Sequence, residues 1–184
     1  MKKGKYNKVG ILVGENAESE ALSIRQALEY FGYEVTLKWT GRPNDFTTFL
    51  RGKLFDNKIN IFILCFHGQA GKFVMPKLSK ELYFEDEEKG NIGHKIIGSN
   101  LLFKNKVVIS TACNVGNIKI SKAFTNNKST YIAPEGYIEG NAALIFVLTF
   151  MYNLNINHDI FKTFDSCVNI DNETSLFKLF TSNL

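Results

Sequence analysis

KVVISTACNVGN, residues Lys106 to Asn117, is an apolar run that ends in Thr111-Ala112-Cys113 and passes into a polar turn carrying Gly116. A second stretch, INIFILCFHG from Ile59 to Gly68, is built the same way and stops at His67-Gly68. Each reads as a strand buried on both faces, the kind that parallel sheets use. In an open parallel sheet, side chains just past the carboxyl ends of the strands line the crevice where ligands bind. Two such strands running side by side would deliver a thiol and an imidazole to one edge.

The flanking sequence supports that sheet. Val9 to Val13 is a short β-type run, followed by Gly14-Glu15-Asn16. Ala21, Ile24, Ala27, Leu28 and Phe31 then recur at helical spacing, and Gly32 supplies the stop. Tyr33 to Trp39 alternates as a strand nearer an edge would, Thr40 to Asp45 is a turn-rich loop, and Phe46, Phe49, Leu50 and Leu54 return to helix spacing. Strand, helix, strand, helix, strand is the order of a doubly wound α/β sheet. After His67 the pattern predicts a small hairpin from Lys72 to Leu78 and Lys80 to Phe84, with Glu85 to Gly90 as a solvated charged tip. Ile96 to Phe103 reads as a short helix or irregular turn, Ile118 to Phe124 as a brief helix and Thr130 to Ala133 as another buried strand. Asn141 is the expected N-cap of the most apolar helix, Ala142 to Leu154, which its all-round hydrophobicity predicts to be buried. A helix over His158 to Val168 and a closing strand over Ser175 to Thr181 complete the expectation.

The totals bound the rest. The 184 residues suit a single domain able to bury a core without disulfides or metal, with residues 1–8 as a flexible basic tail. A hydrophobic share of 45% and a charged share of 22% are those of an ordinary soluble protein. The net charge of +4 comes partly from that tail, and lysines elsewhere alternate with acids, so no nucleic-acid footprint is read. The apolar run behind Met1-Lys2-Lys3 is too short for a signal sequence, and Ala142 to Leu148 is far too short to span a membrane. Cys65, Cys113 and Cys167 form no disulfide framework, and the expected location is the cytoplasm.

The chemistry that a thiol and an imidazole support at one sheet edge is nucleophilic catalysis. Cys113 would supply the thiolate, and His67 would take its proton and return it to the leaving amine. Gly68 has no side chain, so its N–H and that of Cys113 are the expected oxyanion donors. Gly116 is expected to permit the turn that leaves Cys113 accessible. No cofactor is implied: Gly10 and Gly14 do not form a dinucleotide fingerprint, and His67, His94 and His158 are too scattered for zinc. Glu85 to Glu88 could supply calcium ligands, although a solvated loop is the plainer reading.

Phe66-His67-Gly68 and Thr111-Ala112-Cys113-Asn114-Val115-Gly116 resemble the two catalytic blocks of the caspase-like cysteine peptidases of clan CD. In caspases the histidine lies about 50 residues upstream of the cysteine, a separation this chain matches. Ser23 to Val35 resembles the first helix and second strand of caspases and metacaspases. Within the clan the chain is most similar to the CHAT domains, whose cysteine block commonly reads Ser-Ala-Cys-x-Ser/Thr-Gly; Ala112, Cys113 and Gly116 match it, and Val115 departs from it. The resemblance implies an α/β three-layer αβα sandwich with a mostly parallel central sheet. It implies a cysteine endopeptidase with a His67–Cys113 dyad and an oxyanion hole from Gly68 and Cys113. By analogy with small bacterial members, it also implies an effector recruited or activated by a separate protein.

Specificity is read from the loops. Where caspases carry an arginine before the first helix, this chain has Gly14-Glu15-Asn16. Glu15, Glu135 and Glu139 are the expected substrate-binding carboxylates, which predicts cleavage after a basic residue. The segment from Gly116 to Ser129 is short, so an unprocessed single chain is expected. The alternative is the same fold serving as a docking or signalling module without catalysis.

Overall fold

The computed structural model describes residues 7–182. In chain order the first elements are β1 (Lys8–Val13), α1 (Glu18–Tyr30), β2 (Glu34–Trp39), α2 (Pro43–Leu50), β3 (Ile61–Cys65) and a two-strand hairpin of β4 (Gly68–Gln69) and β5 (Lys72–Phe73). There follow α3 (His94–Asn100), β6 (Val107–Ser110), α4 (Ile118–Thr125), β7 (Thr130–Pro134), α5 (Gly140–Asn157), α6 (Ile160–Cys167) and β8 (Phe177–Phe180). Six strands form one sheet in the order β2-β1-β3-β6-β7-β8, and all its pairings are parallel except β7 with β8. This is the expected α/β architecture with a mostly parallel central sheet.

The period of 2 explains why the central strands are apolar throughout. Ile61, Ile63 and Cys65 of β3, with Val107 and Ile109 of β6, face one core shared with α1 and α5. Phe62, Leu64 and Val108 face the other core, which holds Phe46 and Phe49 of α2, Ile97 of α3 and Phe124 of α4. Neither face of these strands meets water, so neither tolerates a polar residue at its middle. β3 and β6 lie side by side, with Leu64 opposite Ser110. His67 and Cys113 therefore leave adjacent strands at the same carboxyl edge.

Several local expectations are corrected. β1 starts at Lys8, inside the stretch expected to be a tail, and the Asn7 carbonyl accepts from the Glu34 N–H at 2.8 Å; Met1 to Tyr6 lie outside the described residues. The hairpin lies earlier than predicted, at Gly68 to Phe73, because Ala70 and Gly71 both adopt positive φ and turn the chain there. Helix α5 starts at Gly140 with Glu139 rather than Asn141 before it. It is buried along one side, while Ile145, Tyr152 and Ile156 stand at its exposed side.

The acidic tip is exposed at Glu85, Asp86 and Glu88, as expected, but not at Glu87. Glu87 has a side chain 1% exposed, and it ion-pairs with Arg42 at the start of α2. Its carboxylate also accepts from the backbone N–H of Asn44 at 2.8 Å and of Phe84 at 3.1 Å. The Arg42 guanidinium lies over the Phe84 ring at 3.5 Å. The loop between β5 and α3 is thereby pinned to α2.

Candidate active site

Beyond the carboxyl ends of β1, β3, β6 and β7 lies an open cavity of about 420 Å³, lined among others by Asn16, Glu20, Phe66, His67, Thr111, Cys113 and Ile138. His67 and Cys113, predicted from two separate stretches, line the same space. Cys113 is partly buried and His67 is exposed. The Cys113 thiol is held against the backbone of Ile138, whose N–H donates to Sγ at 3.5 Å; the Ile138 carbonyl lies 3.6 Å from Sγ. Among the described residues the His67 imidazole makes no hydrogen bond, so it is free to take one from a bound molecule.

The two predicted oxyanion donors meet through their backbones. A Cβ placed on Gly68 would fall 1.9 Å from the Cys113 carbonyl oxygen and 2.8 Å from its nitrogen, so no other residue fits at 68 without moving the cysteine loop. The Cys113 N–H has no acceptor among the described residues. An N–H left without a partner beside a thiol is available to an oxyanion.

Gly116 serves a different purpose from the one expected. It is not at positive φ; the left-handed residue of this turn is Asn114, at φ 59°. A Cβ at Gly116 would lie 2.4 Å from the Ala133 carbonyl oxygen, and its N–H donates to the Pro134 carbonyl at 2.8 Å. The glycine lets the cysteine loop dock on the end of β7. Val115 is fully buried in the core, and its carbonyl accepts from the Tyr131 hydroxyl at 3.2 Å.

The three predicted pocket carboxylates are not brought to the cavity. Glu15 is exposed, Glu135 pairs with Lys178 at 3.2 Å on another face, and Glu139 is exposed at the start of α5. The carboxylate that does line the cavity is Glu20, in the first turn of α1. Thr111 Oγ1 donates to Glu20 Oε2 at 2.9 Å, and the buried Cys65 thiol is a second partner. Burial raises its pKa to about 7, and these two hydrogen bonds offset the rise in part. No Lys or Arg of the chain pairs with it among the described residues. Sequence reasoning missed Glu20, yet it left a signal: residue 20 falls on the same helical stripe as Ala17, Ile24 and Leu28, so an acid stands where α1 turns its apolar face to the sheet. Among the described residues no group of three His, Cys, Asp or Glu is clustered to hold a metal.

The six-stranded, mostly parallel sheet, with helices on both faces and a His and a Cys at its carboxyl edge, defines the caspase-like class of α/β folds. Solved structures share it, two cysteine proteases among them. A secreted C11 cysteine protease from Bacteroides thetaiotaomicron in complex with an irreversible peptide inhibitor matches with a TM-score of 0.55 at 8% identity, over 97% of this chain and 66% of that one. A second structure of a secreted C11 cysteine protease from the same organism, called "iotapain", matches with a TM-score of 0.51 at 9% identity, over 77% of this chain and 61% of that one. At these identities the likeness is one of fold, and the chain spans about two thirds or less of either protease's length. No protein-family model matches the chain, and no curated protein does. Among the described residues no helix is long and apolar enough to cross a membrane.

Proposed function

We propose that this protein is a cysteine endopeptidase that uses His67 and Cys113 as a catalytic dyad. The observation that carries the reading is the seating of Gly68 on the Cys113 backbone beside a cavity that both dyad side chains line. When a peptide enters, His67 takes the Cys113 proton and the thiolate attacks the scissile carbonyl carbon. The oxyanion that forms accepts from the N–H groups of Gly68 and Cys113. His67 then gives its proton to the leaving amine as the C–N bond breaks. Water, activated by His67, hydrolyses the thioester and restores the thiol. Catalytic hydrogen bonds are often long before substrate binds, which suits a resting thiol engaged with Ile138 instead of His67.

The residue on the acyl side of the scissile bond is Lys or Arg. The support for this preference is Glu20 rather than Glu15, Glu135 or Glu139: it is a carboxylate in the cavity without a cation of its own, and a substrate ammonium or guanidinium supplies one. Three free cysteines suit a reducing cytoplasm. The cysteine block keeps the CHAT-like reading, and a separate protein that recruits or activates the enzyme remains part of the proposal.

Labelling with a thiol-reactive peptidyl electrophile carrying Arg tests the core of this reading. Mass mapping is expected to place the label on Cys113, with none on Cys65 or Cys167, and the rate is expected to fall at least about 100-fold in His67→Ala. Equal labelling of all three cysteines, independent of His67, would instead favour a docking module without catalysis.

A further inference from the structure

A second cavity lies against the helices of the other sheet face from the first. The first cavity is walled by α1 and α5, the helices of one sheet face; the second is walled by the starts of α3 and α4, on the other face, and by the tip of the β4–β5 hairpin. It holds about 450 Å³, and its lining includes Gly71, Lys72, His94, Asn117, Ile118 and Lys119. Among the described residues no acidic residue lines it. Lys72 and Lys119 are exposed and form no ion pair among the described residues.

The hairpin ties this cavity to the reacting atoms. It begins at Gly68, against Cys113, and its turn at Gly71 rests on the cysteine loop: a Cβ there would lie 3.1 Å from Asn117 Nδ2 and 3.8 Å from the Asn114 carbonyl oxygen. Gly68 packs on Cys113 and Gly71 on Asn117, so a peptide whose acyl-side residue fills the Glu20 cavity would run from Cys113 along this hairpin. Its width is one strand spacing, about 5 Å, and an extended chain advances about 3.3 Å per residue, so the second and third residues beyond the scissile bond reach the cavity.

The placement of Lys119 conflicts with local helix chemistry. It stands in the first turn of α4, which carries no acidic residue, where the helix dipole already favours negative charge. The Asn117 side chain caps the backbone N–H groups of Lys119 and Ile120, so the charge left to be answered is that of the side chains. A local choice that opposes the fold's own preference points to a use outside folding.

We propose that this cavity is a specificity site for acidic side chains, Asp or Glu, two to three residues on the carboxyl side of the scissile bond. Lys72 and Lys119 pair with the carboxylates, His94 offers a ring N–H, and Ile118, 66% exposed, covers the aliphatic part of a glutamate. The inference rests on the dyad reading for the direction of the peptide. Together the two cavities describe a substrate with a basic residue before the cut and acids after it.

The test compares two peptides identical through the Arg before the scissile bond, one continuing Ser-Glu-Asp and the other Ser-Lys-Lys. Their dissociation constants are measured on Cys113→Ala, and their cleavage on the wild-type chain. The acidic peptide is expected to bind about 10-fold or more tightly than the basic one, and Lys72→Glu with Lys119→Glu is expected to invert the ratio. Circular dichroism and thermal melting check that the double variant is folded. Equal binding of the two peptides, or a preference that survives the double charge reversal, overturns the site. Acid-selective binding with neither cleavage nor His67-dependent labelling of Cys113 leaves the cavity as a site for acidic peptides and removes the peptidase reading, whereas cleavage without selectivity does the reverse.

Discussion

Glu20 and Glu87 are both drawn out of water, and they end at opposite extremes. Glu87 sits under the guanidinium of Arg42 and accepts two backbone N–H groups, which hold its pKa down at about 2. Glu20 has a hydroxyl and a thiol for company and, among the described residues, no cation, and burial carries its pKa up to about 7. The first has its charge answered within the fold and so does structural work on the loop after β5. The second has a site shaped for a charge that the fold does not supply. In the function proposed above, a carboxylate left in that condition beside Cys113 serves recognition rather than stability.

The largest effect expected from this contrast lies with the paired acid. Glu87→Ala leaves two backbone N–H groups without their acceptor and the Arg42 guanidinium with the Leu82 carbonyl but no carboxylate, and the loss of stability is expected to be about 3 kcal/mol in urea denaturation. The pH dependence follows from the depressed pKa. The stabilisation is present above the ordinary carboxyl range near 4.5 and is lost as pH falls from there toward about 2. The wild-type chain should therefore lose stability across that window more steeply than Glu87→Ala does. If the variant unfolds at the wild-type urea concentration, the Arg42–Glu87 contact is not what pins the loop.

Next in size is the effect of Glu20→Gln on selectivity. The amide keeps the size and the hydrogen bond with Thr111 but removes the charge, so kcat/KM for an Arg or Lys substrate is expected to fall about 50-fold, within the range for losing one partner of a buried ion pair. A substrate with Gln at the same position should be cut equally well by both proteins. In the wild type, the Arg-to-Gln ratio should rise with pH through about 7, as Glu20 ionises, whereas the ratio in Glu20→Gln stays flat. Taking the ratio cancels the titration of the dyad, which both substrates share. A wild-type ratio that does not change between pH 5.5 and 8.5 would take Glu20 out of the pocket.

What the sequence revealed of this site, and what it concealed, divides along the same line. That His67 and Cys113 meet at one cavity was legible because two short apolar runs of strand length, each ended by turn residues, read as buried parallel strands, and each stops at a reactive side chain at the same edge. The sheet was legible because Ile61 to Cys65 and Val107 to Ser110 leave no face for water. Glu15, Glu135 and Glu139 were read as pocket carboxylates because loops at that edge usually line the crevice. Their positions depend on how each loop folds back, and the Lys178 partner of Glu135 comes from β8, far along the chain. Glu87 was read as solvated because four acids in a row suggest water, and its partner Arg42 is distant in sequence. Charge pattern reports the average environment of a segment; the environment of one carboxylate is set by long-range pairing.

The smallest effect is also the most direct measure of the unanswered charge. A carboxyl whose folded pKa is raised from the ordinary 4.5 to about 7 binds its proton more tightly in the folded chain. The stability it contributes is fully present below about 4.5 and is lost as pH rises through about 7, where folding holds an anion in a site that disfavours it. Glu20→Gln has no such proton to lose. Its melting temperature relative to wild type should therefore climb between pH 5 and pH 8. Water at the cavity mouth screens the charge, which brings the effect to on the order of 1 kcal/mol, or a rise of about 2–4 °C for a chain of this length. A basic peptide that binds without being cut, added to the wild-type chain carrying Cys113→Ala, should close that gap at pH 8 by supplying the missing cation, and should do nothing to the melting of Glu20→Gln beyond its weaker binding. If the difference is the same at both pH values, folding does not shift the titration of Glu20 between them, and the contrast with Glu87 disappears.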